Sequence, residues 1–168
     1  MTEVESAIAL QRHAADNFKS AALRVPEPAW NVPRAPGKWS PAQVTDHVGV
    51  TTKVAHDALA GRANMGGIPK FLRPIAGAFF FKPVIAKGFP KKGKGPAIMA
   101  PAHEPMPREQ LLRRLDDEVE SIARAAAGMA RAGRTHFEHS FFGRLAVADY
   151  IRFNALHLDH HREQLPSG

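Results

Sequence analysis

Apolar residues recur at intervals of three and four along four long stretches of the chain, which is the spacing of one face of an α-helix. This pattern predicts helices over residues 4–23, 41–59, 108–130 and 146–164. No stretch alternates apolar and polar residues over any length, so no strand is expected. Four amphipathic helices without strands predict an all-α fold, a four-helix bundle formed as a single domain by residues 1–168.

Capping residues define the beginning of the second helix. Ser40 is a suitable N-cap, Pro41 suits the first helical position, and Gln43 completes a capping box. The proline-rich stretch before them cannot be helical throughout. It carries Trp30, which we expect to anchor this loop.

The long connection between the second and third helices has a weaker pattern. Residues 71–81 predict a short, broken helix packed over one end of the bundle, and the rest, as far as Pro105, is expected to be loop. The basic segment at residues 82–94 contains five lysines and no acidic residue, together with prolines and glycines. Although the net charge of +7 is compatible with nucleic-acid binding, this composition favours a solvated loop. Nucleic acid is therefore not expected as a partner.

Composition excludes several classes of site and suggests a cellular location. The chain has no cysteine, which excludes disulfides, thiolate zinc sites and a cysteine nucleophile, so imidazole and carboxylate must hold any transition metal. No apolar run approaches the ~20 residues of a membrane-spanning helix, and the longest is interrupted by Lys82 and Pro83. The acidic amino terminus lacks the pattern of a secretory signal. We therefore expect a cytoplasmic protein without a membrane partner.

Two histidines near the carboxyl end have the spacing of a metal-binding pair. His157 and His161 are four residues apart, on one face of the predicted fourth helix and about 6 Å apart along its axis. Two imidazoles placed in this way can share one ion at ~2.0–2.1 Å. Two ligands make a weak site, and His47, in the second predicted helix, is the leading candidate for a third. The alternative for each is a core histidine whose hydrogen bonds are satisfied, and a chain with nine histidines produces such a pair by chance.

Two motifs resemble those of a known family, the DinB-like metal-binding four-helix-bundle superfamily. The first is the helix start Lys38-Trp39-Ser40-Pro41 with His47 following, and the second is the terminal run of His157, His161, Arg162, Gln164 and Leu165. The resemblance implies a helical bundle in which His47, His157 and His161 bind one divalent ion. His160 often accompanies the pair in similar proteins, but it lies about 60° around the helix from His157, so we expect it beside the ligands or at the rim of the site. The chain departs from the family at Glu163, where glycine is frequent.

The resemblance also implies a function. Members of the superfamily include thiol S-transferases that use low-molecular-weight thiols such as bacillithiol or mycothiol, and proteins that resemble metal-dependent hydrolases. Three neutral imidazoles leave an open position on the ion, as in catalytic sites. Imidazole suits zinc, nickel and iron alike, so the metal is not identified. His160 and Glu163 are candidates for proton transfer.

The expected partner is a small-molecule substrate, and a homodimer is left open. The alternative function is a non-catalytic, stress-linked module that binds metal or another protein. The triad distinguishes the two, because a degenerate interaction protein has little reason to keep all three histidines.

Overall fold

The computed structural model describes residues 1–62, 67–90, 99–101 and 106–166. The helices of this part of the chain are α1 Glu3–Arg24, α2 Pro41–Leu59, α3 Arg73–Ala76, α4 Lys82–Lys87, α5 Arg108–Arg131 and α6 Val147–Arg162. The four long ones form a bundle in which α1 packs mainly against α6, and α2 mainly against α5. The prediction of an all-α helical bundle is therefore confirmed.

The beginning of α2 has the predicted capping residues. The Ser40 hydroxyl accepts a hydrogen bond from the backbone N–H of Gln43 at 3.2 Å, and the Gln43 side-chain oxygen accepts one from the Ser40 N–H at 3.0 Å. Trp30 is only 1% exposed, and its indole N–H donates to the carbonyl of Met106 at 3.3 Å. Trp30 therefore anchors the loop that leads into α2, as predicted.

A short hairpin contradicts the prediction that the chain contains no strand. Strand β1, His136–His139, pairs antiparallel with β2, Gly143–Ala146, and His136 lies opposite Ala146. Each strand has only four residues, too few for alternation to be recognised in the sequence. Gly143 has a φ of 72°, a left-handed conformation that glycine adopts without strain at the end of the turn. Ala146 was expected to begin the last helix, but it is the last residue of β2, and α6 begins at Val147.

The connection between α2 and α5 is also more helical than predicted. A 3-10 turn at Lys70–Leu72, α3, a π turn at Gly77–Phe81 and α4 follow one another without a break. Residues 82–87 were expected to be loop, yet they form α4, with Pro83 in its first turn. The loop expected at residues 91–98 and 102–105 lies outside the described residues.

The connecting segment packs against α6 and the hairpin through aromatic rings. The Phe81 ring lies 5.1 Å from that of Phe153 in α6 and 5.6 Å from that of Phe142 in the hairpin turn. Phe80 stacks on Phe142 at 5.9 Å. None of the helices in the described part of the chain combines the length and the apolar character needed to cross a bilayer.

Candidate metal centre

Three histidines from two helices meet inside the bundle. α2 supplies His47 and α6 supplies His157 and His161, one turn apart. The Nε2 atom of His161 lies 3.1 Å from Nε2 of His47 and 3.0 Å from Nε2 of His157. His47 and His161 are buried, and His157 is half-buried. The structure thus brings together the three residues predicted as ligands.

The opposite nitrogen of each ring has a hydrogen-bond partner. Nδ1 of His47 contacts the carbonyl oxygen of Met99, and Nδ1 of His161 lies 3.1 Å from the side-chain oxygen of Gln164. Carbonyl oxygens only accept, so both Nδ1 atoms carry the proton.

His157 follows the same arrangement through a hydroxyl group. Its Nδ1 lies 3.4 Å from Oγ1 of Thr51. That hydroxyl donates to backbone carbonyls of its own helix, those of His47 and Val48, at 3.0 Å each. The hydroxyl proton is therefore engaged, and the oxygen is left to accept the proton on Nδ1 of His157.

These outer bonds determine the chemistry at the centre of the cluster. A neutral imidazole with its proton on Nδ1 has a lone pair on Nε2. The Nε2 atom of His161 therefore faces those of His47 and His157 at about hydrogen-bond distance with no proton between them, and all three lie within 4.8 Å of one another. Two nitrogens bound to one ion at ~2.0–2.1 Å, with a right or tetrahedral angle between the bonds, lie ~2.8–3.4 Å apart. The two separations of 3.0 and 3.1 Å fall in that range.

The surroundings keep the rings neutral. Burial lowers the pKa of His47, and burial reinforced by the neighbouring imidazoles lowers the pKa of His157 well below its ordinary value. Burial and the proximity of His47 lower the pKa of His161 to about 3. Protons are thus weak competitors for the lone pairs at neutral pH, which is the condition that metal binding requires.

Two aromatic side chains form apolar walls beside the cluster. The Trp39 ring lies 4.8 Å from that of His47, and the Phe89 ring lies 5.1 Å from that of His157. Both are partly exposed. Trp39 entered the sequence analysis only as part of a motif, and Phe89 gave no signal, because it comes from the connecting segment. Thr51 is one turn from His47, a spacing that could have suggested its role.

The two candidates for proton transfer lie outside the three-histidine cluster. The His160 ring is 5.0 Å from that of His161 and half-buried, and its Nε2 accepts from the Gln164 amide nitrogen at 3.2 Å. Burial lowers the pKa of His160, and the charge of Glu163 opposes this effect. Glu163 is the exposed C-cap of α6. Gln164 therefore holds both His160 and His161, a role that the sequence analysis did not assign.

Comparison with known families identifies the chain. The family model of the DinB superfamily matches residues 9–165, nearly the whole sequence. This chain belongs to the DinB superfamily. Neither the curated proteins nor the solved structures gave a match.

DinB-superfamily membership and the geometry agree on what the cluster can hold. The superfamily is associated with metal, and the chain provides a buried triad able to bind one ion. The donor set fits, because three neutral imidazoles present lone pairs at one point and their outer nitrogens are fixed by Met99, Gln164 and Thr51.

Proposed function

We propose that this DinB-superfamily chain is a divalent-metal-dependent enzyme that activates a low-molecular-weight thiol for attack on a small electrophile. His47, His157 and His161 hold the ion, and zinc, nickel and iron all suit these ligands. The observation that carries the proposal is the convergence of three Nε2 lone pairs at 3.0 and 3.1 Å.

The ligand count supports a catalytic role over a structural one. Structural zinc sites are closed by four protein ligands, whereas catalytic sites have three and keep a position open. The described residues provide one group able to hold an ion, and it has three ligands. A divalent ion held there supplies positive charge that lowers the pKa of a coordinated thiol or water.

The residues around the triad suit a small molecule that is partly apolar. The rings of Trp39 and Phe89 provide apolar contact on two sides and exclude water from part of the site. His160 is proposed to accept the thiol proton at Nε2 once the hydrogen bond from Gln164 is released, because it adjoins His161 and its pKa is lowered, so the ring is neutral at physiological pH. Glu163 is proposed to favour the protonated state of His160 that follows, through its negative charge.

The test is a conjugation assay with protein purified without a histidine tag. We expect metal-loaded protein to accelerate the reaction of at least one thiol with a chlorinated or epoxide electrophile, because thiolate is the reactive species. A panel of thiols is needed, since nothing in the site selects one. His161→Ala should abolish the acceleration by removing a ligand.

His13→Ala is the matched control, because it removes an exposed histidine whose partner, Asn17, lies in the same helix. This variant should keep full activity. If esters and amides react but thiols do not, the function is hydrolysis. If metal-loaded and metal-free proteins are equally inert toward all three substrate classes, the enzyme proposal is wrong and the alternative of a metal-binding or interaction module takes its place.

A further inference from the structure

The net positive charge of the chain is concentrated in the connection between α2 and α5. Residues 58–103 contain eight lysines and arginines and no aspartate or glutamate. The whole chain has 23 basic and 16 acidic residues, a net charge of +7, so the remainder has 15 basic and 16 acidic residues and a net charge of −1. The bundle itself is thus nearly neutral, and the connection is a strongly cationic region.

The same connection presents large apolar side chains to solvent. Phe71, Ile75 and Phe79 are 75%, 53% and 81% exposed. They are spaced by four residues in a continuously helical segment, so they lie about one turn apart on the same side. The segment is fixed to the bundle by its other side, where Phe81 and Val84 are buried. We call the outward row of Phe71, Ile75 and Phe79 the apolar stripe.

Cationic side chains accompany the apolar stripe along the segment. Lys70 precedes it, and Lys82 and Lys87 follow it, all exposed. Leu72 and Phe80, at 38% and 44% exposure, widen the apolar surface. A contiguous exposed apolar patch rimmed by polar residues marks an interaction site for protein or membrane. An apolar protein groove would match the stripe alone, whereas a surface that is apolar inside and negatively charged outside matches both the stripe and the lysines.

We propose that residues 70–87 bind the surface of an anionic lipid bilayer. The phenylalanines enter the boundary between headgroups and acyl chains while the lysines contact lipid phosphates, as in interfacial amphipathic helices. The segment lies along the surface and does not cross it, which agrees with the lack of a membrane-spanning helix in the described residues. The sequence-based expectation of no membrane partner considered only spanning length, and this proposal revises it. The proposal is independent of the metal chemistry.

The test measures binding of the full chain to vesicles by co-sedimentation. We expect binding to vesicles of phosphatidylcholine with phosphatidylserine, much weaker binding to phosphatidylcholine alone, and weakening as salt is raised. Phe71→Ser with Phe79→Ser should reduce binding more than ~tenfold, because both exposed rings leave water when the segment binds and serine does not contribute this apolar burial. Lys82→Glu with Lys87→Glu should also reduce it, and should remove most of the preference for phosphatidylserine.

Two matched controls separate the segment from general surface effects. Leu23→Ser removes an exposed apolar residue elsewhere, and Arg34→Glu with Arg131→Glu reverses two exposed charges elsewhere. Both should bind like the unmodified chain. Equal binding to neutral vesicles, or full binding by the double phenylalanine variant, would overturn the proposal. Absence of binding to anionic vesicles at low salt would also overturn it. If the unmodified chain were then an oligomer that dissociates in the double phenylalanine variant, the apolar stripe would be assigned to contact with a second copy of the chain.

Discussion

His139 and the three-histidine cluster have similar surroundings but differ in where their ring nitrogens point. His139, at the end of β1, is buried like the triad, and burial lowers its pKa to about 4. Its Nδ1 accepts the backbone N–H groups of Phe141 and Phe142 at 3.1 and 3.3 Å. The ring proton therefore lies on Nε2, which donates to the Tyr150 hydroxyl oxygen at 3.3 Å. Every polar atom of His139 is satisfied by the protein itself.

The triad of His47, His157 and His161 has satisfied outer nitrogens and unsatisfied inner ones. Three lone pairs point at one another, an arrangement that could hold a metal ion. The comparison shows that burial and a lowered pKa do not by themselves identify a functional histidine, because both groups have them. The orientation of the free lone pairs separates a binding site from a structural residue.

The largest expected effect concerns metal content. The unmodified chain should contain close to one divalent ion per chain, and His157→Ala should weaken binding more than ~100-fold, because loss of a ligand exceeds the ~10–100-fold cost of losing an outer partner. Elemental analysis of tag-free protein and competition with a chelator measure both quantities. Gln164→Leu, which removes only the outer partner of His161, should fall within the ~10–100-fold range.

His139→Ala provides the contrast for the metal measurement, since it also removes a buried histidine. It should retain the full metal content wherever the variant is folded, as judged by circular dichroism. Full occupancy in His157→Ala would disprove the assignment of the triad. Metal loss in both variants would show that binding responds to general destabilisation, and the comparison between the two regions would fail.

The second prediction concerns the free energy of unfolding, to which we expect His139 to contribute more than a histidine of the triad. In metal-free protein, His139→Ala should lower the free energy of unfolding by ~3 kcal/mol, because it leaves two backbone N–H groups and a buried hydroxyl without their partner. Each unsatisfied group costs ~1–3 kcal/mol, and the two part-buried N–H groups place the cost at the low end. His161→Ala should cost less under the same conditions, because it removes one of three opposing lone pairs. Urea denaturation followed by circular dichroism in the presence of a chelator measures both.

Addition of metal should reduce or reverse the difference in stability between His139→Ala and His161→Ala. The ion binds only the folded state, so it stabilises the unmodified chain and His139→Ala but not His161→Ala. If His161→Ala were the more destabilised variant without metal, the triad would be a set of ordinary core residues, and the inference drawn from its lone pairs would be wrong.

The long helices and the pair His157 and His161 were accessible to sequence reasoning because both depend on local periodicity. Capping by Ser40 and Gln43 gave the beginning of α2, and the four-residue spacing of His157 and His161 placed both rings on one face of α6. His47 was selected through resemblance, and the long-range packing of α2 near α6 is what brings its Nε2 within 3.1 Å of His161.

Features that depend on contacts distant in sequence were missed or predicted wrongly. The hairpin has strands of four residues each, and its turn is held by His139 and Tyr150, which no local pattern connects. The Met99 carbonyl and the Phe89 ring reach the triad from the connection between α2 and α5. Their positions follow from the folding of that connection onto α6, which composition alone led us to expect as loop.

The smallest expected effect is a difference in pH dependence that isolates His139. Its pKa is lowered from an ordinary value of 6.5 to about 4 by burial, so between these pH values the unfolded chain binds one more proton than the folded chain at this position. Its contribution to stability is therefore complete above pH 6.5 and is lost as the pH falls toward 4, by at most ~1.4 kcal/mol per pH unit.

In metal-free protein the unfolding free energy of His139→Ala should fall less steeply with decreasing pH than that of the unmodified chain, with a slope difference up to this limit. Urea denaturation at a series of pH values between 7 and 5 measures the two slopes. Parallel slopes would mean that His139 is protonated in the folded state, and the two histidine regions would then differ in charge as well as in geometry.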